Sequence, residues 1–151
     1  MTATLNDLRP AYVTGIGFHR YQFISETPYV ELGLAAVRAA LADAALPWEA
    51  VESAYFAKAL LPMAPGRAML RHLGATGIPI VHIENASASG SAAFRHACME
   101  VAAGLADIVL VVGVDKPMPV GRAESLARIG SLADDAKIGR ASCRERVCML
   151  V

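Results

Sequence analysis

The chain has 151 residues, 14 of them basic and 14 acidic, for a formal net charge of zero. Hydrophobic residues make up 55% and charged ones 19%, which suits one domain with a substantial core. No basic cluster in the first 137 residues points to nucleic acid, and no stretch approaches the ~20 apolar residues of a membrane span. Met1 to Pro10 lacks the basic flank and apolar block of a secretory signal, so a cytoplasmic location is the expectation.

Ala11 to Gly17 reads as a short buried strand ending in glycines. A helix follows, with Thr27 as a candidate cap, Pro28 at the first helical position, and Leu34, Val37 and Leu41 at helical spacing up to Pro47. Val51 to Ala57 is a second strand. Arg67 to Leu73 gives two helical turns closed by Gly74. Ile78 to Glu84 is a third strand, with Pro79 near its start where a missing N–H is tolerated. The small residues Ser87 to Ser91 open a helix that runs to about Gly104. Asp107 to Val114 is apolar almost throughout, the pattern of a strand buried on both faces of a helix-covered parallel sheet. Strands alternating with helices predict an α/β layered fold. After Pro117 the pattern dissolves, and a sheet stopping there lacks its closing elements, so the domain is expected to be incomplete.

Residues 138–151 stand apart from the preceding 1–137. The run from Ile138 to Val147 is basic and has no strand or helix period. It resembles the in-frame translation of a sequencing-library adapter, and such a segment is set aside from fold reasoning. A genuine basic tail is the alternative. Without residues 138–151, three arginines and one glutamate are lost and the net charge becomes −2. Cys143 and Cys148 go too, leaving Cys98 and no disulfide or cysteine metal site.

The segment that carries chemistry runs from Ile83 to Phe94. It joins a strand to a helix through small residues, a geometry that presents a side chain at a helix N-terminus, where free N–H groups and the dipole favour negative charge. A thiol there would be a good nucleophile. This chain places Ser87 there. A serine hydroxyl is far harder to ionise and needs a base, and a serine also makes a good helix cap.

Asn85-Ala86-Ser87-Ala88-Ser89-Gly90-Ser91-Ala92-Ala93 resembles the thiolase active-site segment Asn-x-Cys-x-Ser-Gly-x-Ala-Ala. Gly104 to Lys116 is similar to that superfamily's Gly-x-x-Asp-x-x-Leu-x-x-Gly-x-Glu-x strand, and Val13-Thr14-Gly15-Ile16-Gly17 to its first strand. The similarity covers residues 11–117 and lies nearest the sterol-carrier-protein-type thiolases. It implies that 1–137 is an incomplete N-terminal half of the thiolase-like helix/sheet/helix fold. It further implies carbon–carbon bond formation or cleavage on an acyl-CoA thioester, which is a substrate; no separate cofactor and no metal are expected. Pairing of subunits through the strand Ile78–Glu84 is implied as well. In the superfamily the second half supplies a histidine and a second cysteine, so residues 1–151 alone are expected to be inactive.

Ser87 departs from the family's cysteine. A thiolase-like aldolase, a chance or engineered loss of the nucleophile, and a non-catalytic scaffold subunit that binds acyl-CoA all remain open. Some relatives work with a small OB-fold and zinc-ribbon partner, which is a further candidate. Cys98 is expected to pack in the core, and His82 to be a satisfied structural histidine. His19, His72 and His96 show no metal-ligand spacing. Gly15-Ile16-Gly17 lacks the third glycine of a dinucleotide loop. Asp115 and Lys116 read as a solvated strand end, and Arg67 and Arg71 as water-facing arginines.

Overall fold

The computed structural model describes residues 7–20, 26–116 and 148–150. Its elements in chain order are β1 (Gly15–Gly17), α1 (Tyr29–Asp43), β2 (Ser53–Lys58), α2 (Pro65–Leu70), β3 (Ile80–Glu84), α3 (Ser89–Ala102), β4 (Val109–Gly113) and β5 (Cys148–Leu150). Single 3₁₀ turns follow Pro47 and precede Gly74, at Trp48–Ala50 and Arg71–Leu73.

The strands form one sheet in the order β1-β5-β4-β2-β3. β2 runs parallel to β4 on one side and to β3 on the other. Strand alternation divides the side chains between two faces. Phe56, Leu110 and Val112 meet Leu34, Val37 and Leu41 of α1 and Met69 and Leu70 of α2. Ala57, Val109 and Val111 meet Ala93, Ala97 and Val101 of α3. The result is the expected helix/sheet/helix layering. β4 is covered on both faces, with Val109, Leu110 and Val112 at 0% exposure. Each such side chain contributes up to about 2 kcal/mol of burial energy.

Several boundaries differ from the sequence reading, each for a physical reason. Ala11 to Thr14 lie outside β1, which keeps only the three residues paired to β5. Pro28 is the N-cap of α1, not its first helical residue; its carbonyl receives the Glu31 and Leu32 amides, and no side chain caps the helix. Chain reversal at Ala45, with φ 54°, ends α1 ahead of Pro47. β3 begins after Pro79, whose carbonyl accepts the Ala54 amide while its ring nitrogen donates nothing. β5 falls in residues 138–151, which the sequence reading set aside: Cys148 to Leu150 lies antiparallel between β1 and β4 and pairs the backbone edge that β4 otherwise leaves open.

The glycines of β1 serve packing. A Cβ on Gly15 or Gly17 would overlap the carbonyl oxygens of Ala40 or Ala36 in α1. The Gly-x-Gly pair therefore lets a strand lie directly on a helix backbone, which accounts for it without a dinucleotide. Among the described residues no helix is long and apolar enough to cross a membrane.

Candidate functional site

β3 ends at Glu84 and α3 begins at Ser89, so four residues turn the chain from sheet to helix. The turn is closed by the Ala88 amide on the Asn85 carbonyl at 2.8 Å and the Ser89 amide on the Ala86 carbonyl at 3.3 Å. Ala86 sits in the left-handed region, with φ 45°. For a residue with a Cβ that conformation costs on the order of 1 kcal/mol and persists only where the surroundings impose it.

Two side chains impose it. The Glu84 carboxylate accepts the Ala86 amide at 2.7 Å. The Ser89 hydroxyl donates to the Ala86 carbonyl at 2.8 Å and accepts the Asn85 amide at 2.7 Å. Ser89 is 5% exposed, one of two buried polar residues among those described. The sequence reading missed both roles, although Ser89 belonged to the motif and Glu84 closed the preceding strand.

Ser87 is exposed at the tip of this turn. It does not cap α3. The N-cap is Ala88, and no side chain hydrogen-bonds the free amides of the first turn. The capping reading of Ser87 is therefore corrected: the chain turns so tightly at Ala86 that the hydroxyl of Ser89 faces inward instead. Ser87 is left presented beside an uncapped helix N-terminus, whose N–H groups favour developing negative charge. No acid or base among the described residues is hydrogen-bonded to it.

Around this turn, the ends of the parallel strands are tied together rather than solvated. Lys58 of β2 stands beside Glu84 in the β2–β3 register and donates to the Leu61 carbonyl at 3.1 Å. Asp115, half-buried, accepts the Leu60 amide at 3.0 and 3.1 Å from its two oxygens. Lys116 donates to the Thr27 carbonyl at 2.5 Å. Asp115 and Lys116 thus differ from the free strand end expected of them.

The other singled-out residues lie apart from Ser87. His82 is half-buried on the α2 face, where its Nε2 accepts the Gly66 amide at 3.0 Å. Burial, and then the charge of Lys58, push its pKa down. With Arg67, Ala64, Ile78 and Ile80 it lines a surface groove of about 360 Å³. Cys98 is a half-buried free thiol against the α3-side core, and burial pushes its pKa up. His96 stacks on Tyr55 with centroids 6.0 Å apart. The Tyr55 phenol is pushed up to about 12 by burial, reinforced by the Glu100 carboxylate. His19, His72, His82 and His96 do not converge, and no group of three or more His, Cys, Asp or Glu that could hold a metal occurs among the described residues. Arg67 and Arg71 are exposed, as expected.

With this geometry in place, comparison with known proteins identifies the family. Residues 10–141 match the thiolase N-terminal domain. Sterol carrier protein 2 of Gallus gallus is 37% identical over 111 residues, covering 72% of this chain and 20% of that protein. Benzoylsuccinyl-CoA thiolase subunit BbsB of Thauera aromatica is 33% identical over 112 residues, covering 71% of this chain and 28% of its own. Among solved structures, an Ltp2–ChsH2(DUF35) aldolase superposes with a TM-score of 0.60 at 23% identity, over 80% of this chain and 32% of that one. The chain thus spans less than a third of the length of these relatives. Its strand–turn–helix segment, its layered sheet and its matched residues agree: the chain belongs to the thiolase family through that family's N-terminal domain.

Proposed function

We propose that this chain contributes the nucleophile half of a thiolase-like acyltransferase, which forms or cleaves a carbon–carbon bond beside an acyl-CoA thioester. The observation that carries this reading is Ser87, held exposed by a strained turn at an uncapped helix N-terminus. In the acyl-transfer step the residue-87 oxygen attacks the thioester carbonyl. The carbon–sulfur bond breaks, and the hydroxyl proton passes to the departing CoA thiolate. The reading assigns stabilisation of the intermediate oxyanion to the amides of the α3 first turn, which no side chain caps. A base must take the serine proton, and none touches Ser87 among the described residues. Ser87 is thus a weak acyl acceptor by itself.

A second reading is favoured by the serine itself. A thiolase-like aldolase, or a scaffold subunit that binds acyl-CoA, needs no acyl-enzyme, and the fold likeness to an aldolase complex fits it. β3 is the outer strand of the sheet, with Val81 41% exposed, which suits pairing with a second copy. A small OB-fold partner belongs to the aldolase reading.

A chimera decides between them: residues 10–116 of this chain completed by the remainder of the chicken relative. Acyl transfer requires Ser87→Cys to raise thiolysis of a 3-ketoacyl-CoA by at least about 100-fold. The aldolase reading requires cleavage of a 3-hydroxyacyl-CoA that Ser87→Ala leaves intact. A folded chimera with neither activity leaves the scaffold.

A further inference from the structure

Resting on the reading of residue 87 as the nucleophile seat, we infer that Glu84 is a positioning residue for that seat. Residue 87 takes its direction from Ala86, whose left-handed backbone is unfavourable for alanine. Its amide is held by Glu84 Oε1 and its carbonyl by the Ser89 hydroxyl, so the peptide units on both sides are pinned by side chains. Ser89 is buried and belongs to the packing of α3, but Glu84 is exposed and supports no core. The cost of placing a carboxylate so near a nucleophile is electrostatic: its charge opposes the formation of an anion at residue 87. Glu84 therefore acts on the seat in two opposed ways, by geometry in its favour and by charge against it.

The opposition gives the test its sign. In the 151-residue chain carrying Ser87→Cys, alkylation by iodoacetamide is followed against pH, with each cysteine resolved by mass spectrometry. The thiol at 87 is expected to titrate below the ordinary value of about 8.5, because the helix N-terminus favours the thiolate. Adding Glu84→Gln keeps an acceptor for the Ala86 amide and removes the charge, so the midpoint stays or falls. Adding Glu84→Ala removes both, the turn loosens, and the midpoint rises toward about 8.5 with the melting temperature unchanged. If the two variants shift the midpoint downward alike, or neither moves it, Glu84 holds no geometry and the inference is overturned while the seat stands. A parent thiol that titrates like a free cysteine removes the seat itself and the positioning role with it. Should Glu84→Ala fail to fold, hydrogen exchange of the Ala86 amide in the unaltered chain decides: protection is expected, and exchange at the unprotected rate overturns the inference.

Discussion

The Nε2 atom of His82 accepts the amide hydrogen of Gly66 at 3.0 Å, tying β3 to the start of α2. An accepting Nε2 requires a neutral ring with its proton on Nδ1, and a protonated ring would set two donors against each other. The lowered pKa has the matching direction: burial, then Lys58, disfavours the cation. Because the folded value lies below the unfolded one of about 6.5, the stability His82 supplies is complete above that pH and lost as pH falls through the folded value. Urea midpoints from pH 7.5 to 5 are expected to decline, and the decline to flatten in His82→Gln. An unchanged slope in that variant would show that His82 does not carry the dependence.

Arg9 connects the N-terminal arm to the far end of α3. Its guanidinium donates to the carbonyls of Val101 and Ala106 and pairs with Asp107 at 2.6 Å. Val101 lies in the last turn of α3, where a cation is favoured by the dipole, and Ala106 in the segment between α3 and β4, so the one side chain joins helix end and loop. Arg9→Ala is expected to cost about 1–2 kcal/mol in urea unfolding. Asp107→Asn is expected to cost less than about 1 kcal/mol, since this pair is largely exposed.

Gly17 lies against the α1 backbone, and Gly17→Ala forces β1 away from it. A loss of about 1–3 kcal/mol is expected from calorimetry or urea unfolding, in the range of overpacked cores. NADH titrated into the unaltered protein is expected to leave its melting temperature unchanged. A concentration-dependent rise would restore the dinucleotide reading of the Gly-x-Gly.

Ser89→Ala removes a buried hydroxyl and leaves the half-buried Asn85–Ser89 hydrogen bond unmade. The expected cost is about 1–3 kcal/mol. Loss of protection of the Asn85 amide in hydrogen exchange is the local readout, and a protected amide in that variant would contradict the assigned bond.

What the sequence made visible follows from how local each signal was. β4 announced itself because burial on both faces leaves an unbroken apolar run, which stands out against the alternating segments around it. The stripe Leu34–Val37–Leu41 placed α1 because helix period is a local property. The start of α3 was misplaced because Ser87, Ala88 and Ser89 are all small, and only the fold decides which one turns inward. The Glu84–Ala86 tether and the His82–Gly66 bond depend on backbone direction and on a contact between distant elements, neither of which a residue pattern records. β5 was unreadable for a related reason, since its three residues are ordered by the open edges of β1 and β4 rather than by any period of their own.

The central claim, that residue 87 occupies an acyl-accepting seat, is tested most directly with acetyl-CoA and the Ser87→Cys variant of the 151-residue chain. Transfer of the acetyl group to the thiol releases CoA and needs no further base once the thiolate has formed. Residue-resolved mass spectrometry is expected to find acetylation at position 87 well ahead of Cys98, and little or none on Ser87 in the unaltered chain over the same time. Acetylation spread evenly over the cysteines, or absent from position 87 in the folded variant, would contradict the assignment.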